Sequence, residues 1–184
     1  MVWNDWRFLM SVFYFDDCDP INEDLAKDIC GKDFIDLINY SMRYCTYFSV
    51  DFHIKYKIDN KLRPQLRRSE VFDLSLFHKS REQNCHLIPP QQEYSRHYYW
   101  LNNDTSELIV QLQDSLFNWE LYSKYKMPEN ITFYRSDGSV FFTSITHEGF
   151  AYLYLNANED MNHIVKNRWE ELPETVVCCK IDSN

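Results

Sequence analysis

His147 and Glu148 stand side by side, followed by Gly149, between two strongly apolar runs, Val140 to Thr146 and Phe150 to Leu155. An imidazole next to a carboxylate can serve general acid–base chemistry near neutral pH, and a turn between strands is a place where such groups are presented. A catalytic site would need a third group and a pocket; without them His147 anchors its turn and Glu148 is solvated. The pair lacks the second histidine of H-E-x-x-H, and the adjacent Cys85 and His86 would need a bend to face one ion, so no zinc site is expected. The acidic run Asp16, Asp17, Asp19, Glu23, Asp24 starts like a calcium loop at Asp17 but fails at Ile21 and at Asn22, where the loop requires glycine. Helix capping accounts for these carboxylates better. The six cysteines form no C-x-x-C pair and carry no signature that sets one beside any of the six histidines. Only three glycines occur, Gly31, Gly138 and Gly149, too far apart to cradle a phosphate, which excludes P-loop and dinucleotide-fold chemistry. No catalytic residue, metal or cofactor is therefore expected.

Aromatic residues are the other group in surplus. Tyr94, Tyr98, Tyr99 and Trp100 form one dense cluster, and Trp119, Tyr122 and Tyr125 another, within a chain of 13 Tyr and 5 Trp. Such amphipathic rings concentrate in protein-binding hot spots. Base stacking would need neighbouring positive charge, which the second cluster lacks. Lys55 to Arg81 does hold eight basic residues against three acidic ones, but the whole chain carries a net charge of −9, which opposes a nucleic-acid backbone. That basic stretch reads as a solvated edge protected against self-association. The candidate functional surface is thus His147, Glu148, Tyr98, Trp100, Trp119, Tyr122 and Tyr125, facing a protein partner of basic character, with neither nucleic acid nor membrane.

The elements that must position these groups follow from periodicity. At 184 residues, 45% apolar, with no linker, low-complexity tract or repeat, the chain reads as a single globular domain over residues 1–184. The N-terminus is neither a signal peptide nor a span, and the cysteines suit reduced thiols, so a cytoplasmic setting is expected. Asp19-Pro20 predicts a helix ending at Gly31, Asp33 caps a second, and Trp6, Leu9, Met10 and Phe13 suggest an earlier one. Val50 to Ile58 alternates strictly, predicting a strand with one buried and one wet face; Phe72 to Leu76 and Ser95 to Leu101 are further strand candidates. Asp104-Thr105-Ser106-Glu107 resembles a capping box, with Leu108, Leu112, Leu116 and Trp119 as the stripe of its helix. Ile131 to Leu155 then predicts three strands joined at Asp137-Gly138 and His147-Glu148-Gly149, a last helix begins at Asn158, and Val176 to Ile181 adds a strand. The class is α+β, a mostly antiparallel sheet with a C-terminal three-stranded meander, covered by several helices.

Between Tyr98 and Ile164 the motifs Leu116-Phe117-x-Trp119, Met127-Pro128-Glu129-Asn130, Phe133-Tyr134, Asp137-Gly138, Phe142, Ser144 and His147-Glu148-Gly149 occur in that order. This third of the chain resembles a group of short bacterial proteins often labelled stage III sporulation protein AH. The resemblance implies a bacterial or phage origin and a cytosolic setting, and supplies no catalytic residues. Charge, aromatic surplus and missing catalytic signatures together lead to the expectation of a non-catalytic acidic protein-binding module. It would be of the immunity, antitoxin or defence-inhibitor kind and occlude a basic protein. The alternatives are an enzyme with a site near His147 and Glu148, or an accessory subunit of a bacterial assembly.

Overall fold

The computed structural model describes residues 11–16, 28–54, 62–75, 77, 94–117, 128–160 and 169–172. These form seven strands and three α-helices: β1 (Ser11–Asp16), α1 (Lys32–Tyr44), β2 (Tyr47–His53), α2 (Leu62–Arg67), β3 (Tyr94–Trp100), α3 (Asn103–Leu112), β4 (Glu129–Tyr134), β5 (Val140–Ile145), β6 (Phe150–Leu155) and β7 (Glu170–Glu171). All strands join one antiparallel sheet in the order β3-β2-β4-β5-β6-β1-β7, so the class is α+β.

Register and the two-residue side-chain period give the sheet two different faces. One row runs Tyr99, Phe48, Phe133, Phe142, Leu153, Phe13 across six strands. Against this aromatic face pack Phe34, Leu37 and Ile38 of α1 and Leu108 and Ile109 of α3, forming the main core. The next row runs Tyr98, Ser49, Thr132, Thr143, Tyr152, Tyr14 on the opposite face. Its polar members pair with each other: Thr132 and Thr143 hydroxyls lie 2.8 Å apart, and Ser49 Oγ lies 3.0 Å from Tyr134 Oη. Tyr47, Phe77, Tyr98, Tyr134 and Tyr154 make a second apolar cluster on this face.

Several expectations are corrected. The alternating strand is Tyr47–His53, not Val50 to Ile58; Ile54 is already in a turn, and residues 55–58 lie outside the described set. Its polar phase is buried as well, because Phe77, Tyr98, Tyr134 and Arg96 pack over that face of β2. Phe13 belongs to β1 rather than to a helix, since its neighbours pair with β6; Trp6, Leu9 and Met10 lie outside the described residues. Phe72 and Leu74 form no strand: after Val71 N–H donates to the Tyr98 carbonyl at 2.8 Å, the chain leaves the β3 edge.

Helix ends shift too. Gly31, at φ 56, directly precedes α1, and Asp33 sits inside its first turn, where a carboxylate favours the helix dipole. The box at the start of α3 is Asn102 and Thr105, each side chain bonded to the other's backbone N–H at 3.1 and 2.9 Å. That helix stops at Leu112, because Gln113 is extended and the chain turns to pair with the strand-like segment before α1: Leu116 N–H donates to the Ile29 carbonyl at 2.9 Å. The helix expected from Pro20, most of that after Asn158 and the strand at Val176 to Ile181 fall outside the described residues.

Candidate functional site

Asn130 decides how one end of the sheet is built. It has φ 55, the positive value that asparagine tolerates better than most side chains, and it sits where the β2–β4 register slips between Ser49 and Asp51. This bulge gives β4 one extra residue and re-aims its side chains. Asn130 then ties two elements together: its backbone N–H donates to Thr146 Oγ1 at 2.9 Å, its Oδ1 accepts the Thr146 N–H at 2.9 Å, and its Nδ2 donates to Asp51 Oδ2 at 3.1 Å. Thr146 opens the 3-10 turn Thr146–Glu148 that carries the predicted polar pair.

Asp51 is 1% exposed, and both of its carboxylate oxygens are engaged. Arg96 Nε and Nη2 donate to its two oxygens at 2.7 and 2.8 Å, a bidentate clasp between β2 and β3. Burial opposes the Arg96 charge, but the bonds to Asp51 and its negative charge outweigh that cost and hold the guanidinium protonated above its ordinary range. Beside this pair the Tyr94 hydroxyl donates to buried Glu129 at 3.2 Å. The same polar face holds Tyr134, whose hydroxyl is pushed above its usual pKa, chiefly by burial. Two acids, one base and their amide and phenol partners are bonded to one another here, an arrangement that specifies strand register.

His147 and Glu148 project from this end but are not drawn into the cluster. Both are exposed, and His147 Nε2 lies 3.6 Å from Glu148 Oε1. Gly149, at φ 72, closes the turn after them. No group of three His, Cys, Asp or Glu among the described residues is placed to hold a metal.

Trp100 lies at the opposite end of β3, beyond six residues that span about 20 Å at roughly 3.3 Å each. The structure therefore separates the two parts of the predicted surface. Tyr98 leaves that surface altogether: it is 5% exposed and stacks on Phe77 with ring centroids 4.3 Å apart, because its strand phase points into the second apolar cluster. Trp100 shares that phase but comes at the strand end, where its ring contacts Tyr47 at 4.7 Å and stays 45% exposed. Trp119, Tyr122 and Tyr125 fall outside the described residues.

Two features along the β3 edge had no sequence signal. Phe72, on the segment that leaves that edge after Val71, is 83% exposed, with Leu74 exposed two residues on. A cleft of about 300 Å³ opens between α2 and α3, lined among others by Gln65, Arg68, Asp104, Glu107 and Gln111. Trp100 joins its two walls through the backbone, donating to the Ser69 carbonyl at 2.7 Å and accepting from Thr105 Oγ1 at 2.9 Å. Only pairing of Ser69 to Val71 with β3 brings these walls and Trp100 together.

Comparison of the chain with family models, with curated proteins and with solved structures returned no match. Among the described residues no helix is long and apolar enough to cross a membrane.

Proposed function

We propose that the chain is a non-catalytic protein-binding module of the immunity, antitoxin or defence-inhibitor kind, in which an acidic molecule covers a basic protein partner. The observation that carries this reading is the exposure of three large apolar side chains, Trp100 at the end of β3 and Phe72 and Leu74 on the segment that leaves its edge. Large aromatic side chains left in water are what an interaction surface is built from. Trp and neighbouring apolar side chains are also the groups that contribute most when pressed into a partner.

Charge is the second support. Among the described residues nine exposed Asp and Glu stand against four exposed Lys and Arg, in keeping with the net −9 of the whole chain. A field of that sign speeds encounter with a cationic protein and is screened by salt. A bacterial or phage origin and a cytoplasmic setting, implied by the resemblance over residues 98–164, suit such a module. The exposed His147 and Glu148 give the enzyme reading less support, since among the described residues the charged group nearest each is the other.

The test is capture from an extract of the source cells on the immobilised full-length chain, beside a Phe72→Ser/Trp100→Ser variant of unchanged melting temperature. The expected result is one stoichiometric basic protein, retained less as salt rises and lost by the variant. Equal retention by both chains, or none by the wild type, overturns the reading.

A further inference from the structure

Ser95, His97 and Glu70 are linked in a row on one face of the sheet. Ser95 Oγ lies 3.1 Å from His97 Nε2, and His97 Nδ1 lies 3.3 Å from Glu70 Oε1. Strand geometry brings them together. Residues two apart on a strand share a face, so Ser95 and His97 are neighbours along β3. Ser69 to Val71 run along the outer edge of β3 with Glu70 opposite Tyr99, so the Glu70 side chain reaches His97 on the diagonal. Water reaches all three: the His97 and Glu70 side chains are 36% and 26% exposed, and Ser95 is half-buried.

The proton positions follow from the partners. A carboxylate only accepts, so in the neutral ring Nδ1 carries the hydrogen and Nε2 is left to accept from the serine hydroxyl. The Phe52 carbonyl also lies within reach of that hydroxyl, at 3.5 Å, but the imidazole is the nearer acceptor. The Phe52 ring meets the imidazole edge to face, with centroids 5.4 Å apart, and so supports its orientation from β2. A hydroxyl bonded to a base that a third group orients is the arrangement that activates a serine.

We infer that Ser95 is a modification site, acylated by activated carboxylic esters. Ser95 Oγ attacks the carbonyl carbon while His97 Nε2 takes the hydroxyl proton. The bond from that carbon to the leaving alcohol then breaks, and the alcohol departs with the proton from His97. The products are an ester of Ser95 and a free alcohol, with nothing oxidised or reduced. Glu70 is a positioning residue: it holds the ring and stabilises the imidazolium that forms in passing. The inference goes beyond the binding reading and leaves it intact, since each chain takes one acyl group on its own serine.

A fluorophosphonate probe tests this on the purified full-length chain. Its phosphorus stands in for the ester carbonyl carbon, and fluoride leaves as Ser95 Oγ bonds to it. One adduct per chain is expected, placed on Ser95 by peptide mass mapping and abolished by Ser95→Ala. His97→Gln can hydrogen-bond but cannot take the proton, and slows labelling at least about a hundredfold at an unchanged melting temperature. Glu70→Gln lowers the limiting rate about tenfold and leaves the half-saturating probe concentration unchanged, a split that lost packing would not give. The wild-type chain alone can overturn the inference, by labelling Ser95 no faster than its other serines. Labelling of Ser95 that is as fast in His97→Gln overturns it too. No partner protein enters the experiment, so its failure leaves the capture experiment untouched.

Discussion

Arg135 offers the sharpest test of how this sheet is held together. It is buried at the end of β4, and its Nε and Nη2 donate to the two oxygens of Glu159 at 2.8 and 2.6 Å. The same guanidinium donates to the Val140 carbonyl at 2.7 Å and the Tyr154 carbonyl at 2.6 Å, and lies over the Phe141 ring. One side chain thus joins β4, the start of β5, the end of β6 and the turn after it. Arg135→Met keeps the apolar volume and removes every polar contact. Glu159, with its side chain 4% exposed, keeps the Asn156 N–H at 2.8 Å and Nδ2 at 3.4 Å but loses its counter-charge, a change that costs about 3–5 kcal/mol. At a urea m-value of roughly 1–3 kcal/mol/M, the unfolding midpoint falls by about 1–5 M. Glu159→Gln combined with Arg135→Met removes the charge left without its counter-ion, so the double variant should be less destabilised than the sum of the single variants. Equilibrium urea unfolding followed by tryptophan fluorescence reads all four proteins. A loss below about 1 kcal/mol for Arg135→Met, or strict additivity, refutes the argument that this pair is a buried, mutually dependent one.

Two other outcomes follow from local geometry. Gly138, at φ 82 in the β4–β5 turn, should tolerate alanine poorly: Gly138→Ala lowers stability by about 1 kcal/mol or more, and an unchanged urea midpoint would contradict the turn geometry. Cys45 is buried, and burial pushes its thiol pKa well above the ordinary value, whereas Cys30 is exposed; in the folded protein iodoacetamide should label Cys30 and spare Cys45 by peptide mass mapping, and equal labelling at both would contradict the burial of Cys45.

Local patterns predicted the parts of the fold that depend on local chemistry. The alternation from Ile131 to Leu155, broken at Asp137-Gly138 and His147-Glu148-Gly149, matches β4, β5 and β6 closely because each turn has glycine at a positive φ that few other residues adopt. Where the signal depended on a partner the reading slipped. Phe72 and Leu74 alternate like a strand, yet no strand lies beside them among the described residues, and an alternating pattern cannot report whether a neighbour exists. Leu116 fits the α3 stripe by spacing and is buried as the stripe requires, but it reaches the core through a pairing with Ile29 after the helix has ended. Its burial was legible and its conformation was not.

The candidate site shows the same division. His147 and Glu148 were visible because they interrupt apolar runs, but interruption selects for exposure, and exposed groups are the ones least shaped by the fold. Asp51 and Arg96 look, in sequence, like the wet phase of two amphipathic strands. Cross-strand register alone turns them into a buried bidentate pair, since Asp51 stands opposite Arg96 only when Tyr47 stands opposite Trp100. That register also decides the fate of the aromatic cluster. It sends Tyr98 inward onto Phe77, leaves Trp100 at the strand end, and lays Ser69 to Val71 along the β3 edge, so that Phe72 emerges beside it in water. A slip by one residue would turn Arg96 and Tyr98 to the helix-covered face and expose the phase that carries Tyr99. The buried Asp51–Arg96 clasp resists that slip, because an unpaired charge in the core is far costlier than a displaced aromatic. The polar cluster at one end of β3 therefore serves the rest of the strand by fixing which of its rings, Tyr98 or Trp100, faces the solvent.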